Sequence, residues 1–456
     1  MRQNRKTLSL LAVLLLALAA CGGTAGTDAS TTTGGGAETT AGPATTAAEA
    51  TTTPAGETTA ATEPSGEQEV LKIGAPLALT GPIAAQAEEM VNGYNLYLDQ
   101  TGGTLGGVPV EVLIEDTEAD PNTVIAKTRK LIEQDQVHLI GGGALAFESL
   151  AIIDVADQNN MAFITPMSSA DDLTQRQLKP IFARPNMTSS QPNLAFGQWV
   201  FDNLGYQNIA IVAQDYAYGW ESAGGFQFSF ERAGGDIVQK IWVPLDATDV
   251  TSYVSQIDIE NVDAVYIMLI GAFVPRFVKT YVDFGLPEQA PLIGGPDTAD
   301  EDALRAMGDE EIGIVSAHEY AASLPTAAEF VGAYEAAYGA IPSYWGESTY
   351  VLAQWLDATI QGLVDNDGMA PEEIPTWIRE NPEDFITAFA ETEIDSPHGH
   401  LALDEYHNVV TDVHIFEVTA PDTKTVLDTI PAVSQFWDVP PDEFLANPVF
   451  SRDFPE

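Results

Sequence analysis

The hydrophobic pattern of the chain alternates between short apolar runs and longer amphipathic segments. Residues Val70 to Leu77 are mostly apolar, which is typical of a buried strand in a parallel sheet. A Thr-Gly-Pro turn follows at 80–82, and from Ala84 to Leu98 apolar positions recur at helical spacing. This first unit predicts a strand, a turn and a helix. Its turn lies at the carboxyl end of the strand, where open α/β sheets bind ligands.

The same alternation repeats along the chain and divides into two sets. The first set ends with a predicted strand at 161–165, and the second begins with a predicted helix at 193–203. Helices are then predicted over 327–338 and 348–364, and a pair of strands within 401–418. Two successive sets imply an α/β fold of two doubly wound, Rossmann-like lobes joined by a hinge. Later segments cross back, so both lobes are predicted to be discontinuous, with 70–188 and 318–396 in lobe 1 and 189–317 and 397–456 in lobe 2.

The amino-terminal segment has the pattern of a bacterial lipoprotein leader. A basic stretch precedes an apolar run from Leu8 to Leu18, and the sequence LAAC ends at Cys21. The run is too short to remain as a membrane-spanning helix. We therefore predict a signal peptide over 1–21 and a lipid on Cys21 that anchors the protein to the outer face of the cell membrane.

Composition adds a tether and excludes one class of partner. Residues 22–69 are mostly Thr, Ala, Gly, Ser and Pro, which predicts a disordered tether. The chain carries 67 acidic and 18 basic side chains, a formal charge of -49, so nucleic acid is not expected as a partner. Its single cysteine excludes an intramolecular disulfide. An acidic, solvated surface is the favoured interpretation of the charge.

Motifs for catalysis and cofactors do not emerge from the sequence. There is no phosphate-binding P-loop, and the triple glycine at 141–143 does not have the spacing of a dinucleotide motif. Ser222 lacks the strand-turn-helix setting of a nucleophile elbow. The histidines at 398, 400 and 407 have no acidic or cysteine partner at metal-ligand spacing, so an exposed hairpin is the favoured interpretation. We predict no enzyme, no cofactor and no metal. The small, hydroxyl, aromatic and acidic residues at predicted strand ends fit a small-molecule cleft.

Nine segments between Val70 and about Val418 carry a family resemblance, among them IGAPLALTGPIAAQ, DTEADPNTVIAKTRKLI, FITPMSSADDLT, NIAIVAQDYAYGWE and PLIGGPD. In content and order they resemble the branched-chain amino-acid binding proteins, which have the type I periplasmic-binding-protein fold. The resemblance implies a monomer that closes like a flytrap on an amino acid or a related amide or carboxylate. Its implied partners are the permease and ATPase of an ABC importer. A ligand-sensing receptor subunit of the same fold is the alternative.

The resemblance also implies ligand contacts at particular positions. Ser168 and Ser169 match a loop that binds the ligand carboxylate, and Asp297 matches an acid that pairs with the ligand ammonium. Tyr218 matches an aromatic residue of the opposite lobe, while Gln86 stands where relatives often have an aromatic, which favours a more polar cargo. The full set of expected ligand contacts is Gln86, Ala146, Phe147, Ser168, Ser169, Tyr218, Phe273, Asp297 and Trp345.

Overall fold

The structure is a computed structural model that describes residues 69–449 and 451–454. The predicted leader, Cys21 and the predicted tether as far as residue 68 lie outside the described residues. The strands are β1 Leu71–Leu77, β2 Thr104–Leu105, β3 Val108–Asp116, β4 Leu139–Gly141, β5 Phe163–Ile164, β6 Phe182–Ala183, β7 Asn208–Gln214, β8 Asp236–Val243, β9 Ala264–Met268, β10 Leu292–Gly294, β11 Val315–His318, β12 Ile394–Ser396, β13 Gly399–Leu403, β14 Val409–Ala420 and β15 Thr423–Val433. The helices are α1 Ala84–Gln100, α2 Pro121–Glu133, α3 Ala146–Gln158, α4 Gln191–Leu204, α5 Ala217–Ala233, α6 Thr251–Val254, α7 Phe273–Asp283, α8 Glu301–Ala306, α9 Ala328–Tyr338, α10 Tyr344–Asp365, α11 Ile374–Glu380, α12 Pro382–Glu391 and α13 Pro441–Ala446.

The first sheet is built around β1, which confirms the strand-turn-helix unit predicted from the hydrophobic pattern. Its strand order is β2-β3-β1-β4-β5-β6, and β1 pairs in parallel with β3 and β4. Every residue of β1 except Lys72 is buried, as a central strand covered on both faces requires. Helix α1 packs so closely on α10 that a Cβ on Gly93 would lie 2.0 Å from the carbonyl oxygen of Gly346. The helices after β11 therefore return to the first lobe.

The second sheet has nine strands and is parallel on one side and antiparallel on the other. Its order is β12-β13-β14-β11-β10-β9-β7-β8, with β15 paired to β14. Strands β7 to β11 are parallel, whereas β11, β14 and β15 are joined by antiparallel pairing. The prediction of a two-lobed α/β fold is confirmed. The antiparallel pairing at one side of this sheet was not part of the prediction. The predicted strand pair within 401–418 corresponds to β13 and β14.

Sequence patterns missed the edge strand β15 and the helices α11 and α12. Most β15 side chains are exposed on both faces, because the strand lies at the sheet edge, so the strand has no alternation of buried and exposed positions. The short strand β12 also pairs in the second sheet, with Ile394 opposite Leu401. Within the described residues no helix is both long and apolar enough to span a membrane.

Candidate functional site

A cavity lies between the two lobes, at the carboxyl ends of strands from both sheets. It contains about 460 Å³ of empty space, counted out to its opening. The first lobe contributes the loops after β4, β5 and β6, and the second lobe those after β7, β9, β10 and β11. The lining residues are Ala144, Leu145, Ala146, Met167, Ser169, Asn186, Met187, Thr188, Ser189, Pro192, Tyr216, Tyr218, Ile270, Pro296, Asp297, His318, Glu319, Tyr344 and Trp345.

The start of α3 forms one wall of the cavity. Glu148 caps this helix, since its carboxylate accepts the N–H groups of Ala144 at 3.2 Å and Leu145 at 3.0 Å. The N–H groups of Ala146 and Phe147 are in the first turn, where a helix supplies no acceptor of its own. The positive end of the helix dipole also lies here, so this wall favours an anionic group.

The two serines predicted as carboxylate ligands have different environments. Ser168 is fully buried, and its hydroxyl donates to the carbonyl oxygen of Leu145 at 3.2 Å, which joins the loops after β4 and β5. Ser169 lines the cavity, with its Oγ 3.1 Å from that of Ser189. The Ser189 hydroxyl donates to the Ser169 carbonyl oxygen at 2.9 Å, so Ser169 is the donor and Ser189 the acceptor in the contact between the two hydroxyls. Ser169 is therefore the better placed of the two to contact a ligand.

Asp297 provides a buried carboxylate on the opposite wall. It follows β10 and is only 4% exposed. The hydroxyl of Tyr218 donates to one carboxylate oxygen, and that of Tyr344 donates to the other at 2.9 Å. Burial raises the pKa of Asp297 to about 7, although both tyrosine hydrogen bonds oppose the shift. Among the described residues that line the cavity, none is lysine or arginine, so Asp297 has no cationic partner there.

Aromatic rings complete the walls around this carboxylate. The ring centroids of Tyr216 and Tyr218 are 6.1 Å apart, and those of Tyr344 and Trp345 are 5.4 Å apart. Aromatic faces attract cations as well as apolar groups. The cavity therefore combines an anion-favouring helix start on one side with a carboxylate and aromatic rings on the other.

Five of the nine predicted contact residues line the cavity, and four do not. Those in the wall are Ala146, Ser169, Tyr218, Asp297 and Trp345. Ser168 lies behind the wall, as described above. Phe147 is half-buried and packs edge-on against Tyr216, with centroids 6.2 Å apart. Phe273 is 3% exposed within the core of the second lobe, because its position starts α7, whose apolar face covers the sheet.

Gln86 lies at the rim of the cleft and bonds to the other lobe. Its side-chain amide donates to the carboxylate of Asp302 in α8, and Arg305 of α8 pairs with Glu89 of α1. Gly271 is also close to this rim, since a Cβ there would lie 2.8 Å from the carbonyl oxygen of Pro82. Gln86 therefore connects α1 to α8 and does not line the cavity.

Sequence reasoning missed His318, which is the last residue of β11, and Glu319, which directly follows that strand. Strand β11 has only four residues and was not predicted, so nothing placed its carboxyl end at the cleft. The available signal was the presence of acidic and aromatic residues after second-lobe strands, as in Asp215-Tyr216 and Asp297, and the sequence His318-Glu319-Tyr320 continues it.

The three histidines considered as metal ligands lie in separate places. His398 is buried and its Nδ1 is 2.6 Å from a carboxylate oxygen of Glu347, whereas His400 is exposed beside Asp395. His407 bonds to the carbonyl oxygen of Phe182. In the part of the chain that the structure describes, no group of three or more metal-binding side chains comes together. His398 corrects the expectation of an exposed hairpin, because the lobes cover the turn in which it stands.

Two α/β lobes with a cavity between them, at the carboxyl ends of their strands, define a two-lobed binding protein. The model of the family called periplasmic binding protein matches residues 70–424, and the chain belongs to this family.

Individual relatives agree with this assignment. The Leu/Ile/Val-binding protein homolog 6 of Brucella melitensis is 26% identical over 258 residues, a match covering 56% of this chain and 65% of the relative. The chain thus spans slightly less than two thirds of that curated relative. An ABC transporter substrate-binding protein from Sphaerobacter thermophilus is 30% identical, with a TM-score of 0.72 over 80% of this chain and 99% of the other. A solute binding protein of an ABC transporter from Rhodopseudomonas palustris BisB5, in complex with 3,4-dihydroxy benzoic acid, is 26% identical, with a TM-score of 0.73 over 80% and 98% of the two chains.

Proposed function

We propose that this protein captures a small polar ligand bearing an ammonium group and delivers it to the permease of an ABC importer. The observation that carries the proposal is the buried carboxylate of Asp297 in a cavity whose described lining includes no lysine or arginine. A carboxylate in such a place is costly unless a cation pairs with it. The ligand ammonium would be that cation, with the aromatic rings around it.

The carboxylate of the same ligand would meet the opposite wall. The first turn of α3, at Ala146 and Phe147, offers N–H donors to an anion, and the side chain of Ser169 lines the same cavity. The names of the similar proteins support a small organic acid, since one is called a Leu/Ile/Val-binding homologue and another holds 3,4-dihydroxy benzoic acid. An amino acid or a close relative satisfies both walls.

Delivery requires closure, anchoring and a membrane partner. A ligand that contacts both lobes stabilises the closed state, because only differential contact shifts such an equilibrium. In this proposal the protein acts as a monomer without cofactor or covalent chemistry, held outside the cell membrane by the lipid on Cys21. The permease and ATPase of an importer are its partners. The second candidate is a receptor subunit that binds its ligand in the same cavity and signals that the ligand is bound. Transport assays distinguish the two functions, because a receptor subunit would give no ligand uptake.

A thermal-shift panel tests the proposal. We expect at least one amino acid or amino-acid amide to raise the melting temperature, because a ligand that binds only the folded state stabilises it by mass action. At a ligand concentration of about 100 times Kd, the gain is about 2.7 kcal/mol. Carboxylates without an amino group serve as the matched control and should give smaller shifts. The proposal is contradicted if no ammonium-bearing ligand raises the melting temperature. It is also contradicted if the protein hydrolyses the amides or esters with which it is incubated.

A further inference from the structure

Three side chains near the end of β11 and the start of α10 carry polar atoms to which the proposed function assigns no ligand group. They are His318, Glu319 and Trp345, and all three line the cavity. His318 Nδ1 lies 3.4 Å from a carboxylate oxygen of Glu319. The ring of Tyr344 lies between the others, with its centroid 4.4 Å from that of His318 and 5.4 Å from that of Trp345. We name these three residues the hinge-side patch.

His318 contributes an N–H donor to this patch. Its Nδ1 accepts the backbone N–H of Tyr320 at 2.9 Å, so the ring proton of the neutral imidazole is on Nε2. Burial holds the pKa of His318 well below its usual range, which keeps the ring neutral. Nε2 is buried and has no hydrogen-bond partner in the described part of the chain.

Trp345 contributes a second donor of the same kind. The side chain is 2% exposed, and its indole nitrogen is buried without a partner among the described residues. An indole N–H only donates, and a buried donor that finds no acceptor is destabilising. Two residues of one cavity wall therefore each carry a buried N–H group that has no acceptor among the described residues.

Glu319 contributes the acceptor. It is 5% exposed, and burial raises its pKa to about 7. His398 is the cation whose charge acts on it, but His398 already pairs with Glu347 at 2.6 Å. The backbone of Met187 also donates a hydrogen bond to Glu319, but a carboxylate offers about four acceptor positions, so the group retains capacity to accept a hydrogen bond from a ligand.

We infer that the cargo carries, besides its ammonium and carboxylate, a carboxamide or ureido group that the hinge-side patch binds. The carbonyl oxygen of such a group accepts from the N–H of Trp345 or His318, and its NH₂ donates to Glu319. An ammonium or guanidinium would leave both N–H donors without acceptors. A carboxylate would face the acid of Glu319, and an alkyl group would satisfy none of the three side chains. This inference rests on the proposed function, because it assigns only the second end of an amino-acid ligand.

Isothermal titration of the full chain with matched ligand sets tests the inference. The sets are asparagine with aspartate, and glutamine with glutamate and leucine. We expect the amide of at least one pair to bind about 10-fold or more tightly than its carboxylate, since a mismatched buried hydrogen bond costs about 1–3 kcal/mol and 1.4 kcal/mol is a factor of ten. E319Q should reduce or reverse that ratio, because its NH₂ group donates where Glu319 accepted. Leucine serves as the control ligand, because any change in its affinity measures the effect of the variant on amino-acid binding in general.

A second variant keeps the test decisive if E319Q does not fold. W345F preserves the aromatic packing and removes one N–H, so it should weaken amide binding about 10-fold relative to leucine binding, whatever it does to both. The inference is overturned if amino acids bind but the wild-type protein does not prefer the amide of either pair. It is also overturned if neither variant changes the ratio of amide to carboxylate affinity. If no amino acid of the sets binds but another ammonium-bearing ligand of the thermal-shift panel does, the inference has failed and the proposed function stands. If no ligand of the sets or of the panel binds, the proposed function itself has failed.

Discussion

Replacing Asp297 with asparagine should weaken binding of an ammonium-bearing ligand by about 100-fold or more. The carboxylate is buried and receives hydroxyl hydrogen bonds from Tyr218 and Tyr344. Removing one partner of a buried ion pair costs about 3–5 kcal/mol, because the other charge is left desolvated without compensation. Asparagine has nearly the same shape, so the loss reports charge and not packing. Titration calorimetry with the strongest ligand of the thermal-shift panel measures the effect.

Two controls separate this effect from general damage or from a change in net charge. The same ligand without its amino group should bind the wild type and Asp297→Asn with similar affinity, since it has no ammonium to pair. The matched variant Asp395→Asn removes an acid whose side chain is 94% exposed and should leave Kd unchanged. Retention of wild-type affinity by Asp297→Asn would remove the basis for the ammonium assignment.

The ligand-free protein should become more stable as the pH falls from 8 to about 5. Burial raises the pKa of several carboxyls in the folded state, to about 6 for Asp171 and about 7 for Asp297, Glu311 and Glu319. The folded chain therefore holds more protons than the unfolded chain between pH about 4 and about 7. Stability from these groups is fully present below the unfolded pKa and is lost as the pH rises through 6 and 7. His318 acts in the opposite direction below its usual pKa, because it is buried as a neutral ring.

Calorimetric melting in matched buffers checks this pH dependence. Each unit of pKa shift corresponds to about 1.4 kcal/mol, so several groups together should raise the melting temperature by about 5 °C or more between pH 8 and pH 5. The formal charge of -49 acts in the same direction, since protonation relieves repulsion. Glu311→Gln removes one of the buried acids away from the cavity and should flatten the curve. A melting temperature that stays constant or rises with pH would contradict the expected titration.

The part of the site that could be predicted from sequence is the part that follows well-marked strands. Asp297 and Tyr218 are 79 positions apart, yet both follow apolar runs, β10 and β7, whose carboxyl ends meet at one edge of the sheet. Their direct hydrogen bond is the consequence of that topology. The resemblance to the binding-protein family then assigned them their expected roles.

The remaining features depend on packing that no local pattern shows. Gln86 follows the turn after β1, as predicted. Its position on α1 directs the side chain towards α8, where the amide group donates a hydrogen bond to the carboxylate of Asp302. Phe273 begins an amphipathic helix, and its apolar face is buried in the lobe core. Glu319 was overlooked because the four-residue strand before it is too short to give a periodic signal. The direction of a side chain near the end of a helix or strand thus depends on the helix or strand that packs beside it.

Closure of the lobes on the ligand is the central claim, and a distance measurement across the cleft tests it most directly. Ala85 of α1 and Ala306 of α8 are exposed and line the same groove at the rim, one on each lobe. In a Cys21→Ser background, the variants Ala85→Cys and Ala306→Cys together supply the only two thiols for a spin-label or fluorophore pair. We predict that the distance between the labels shortens and its distribution narrows when the panel ligand is added, and that Asp297→Asn prevents the change. An unchanged distance at saturating ligand would contradict the account.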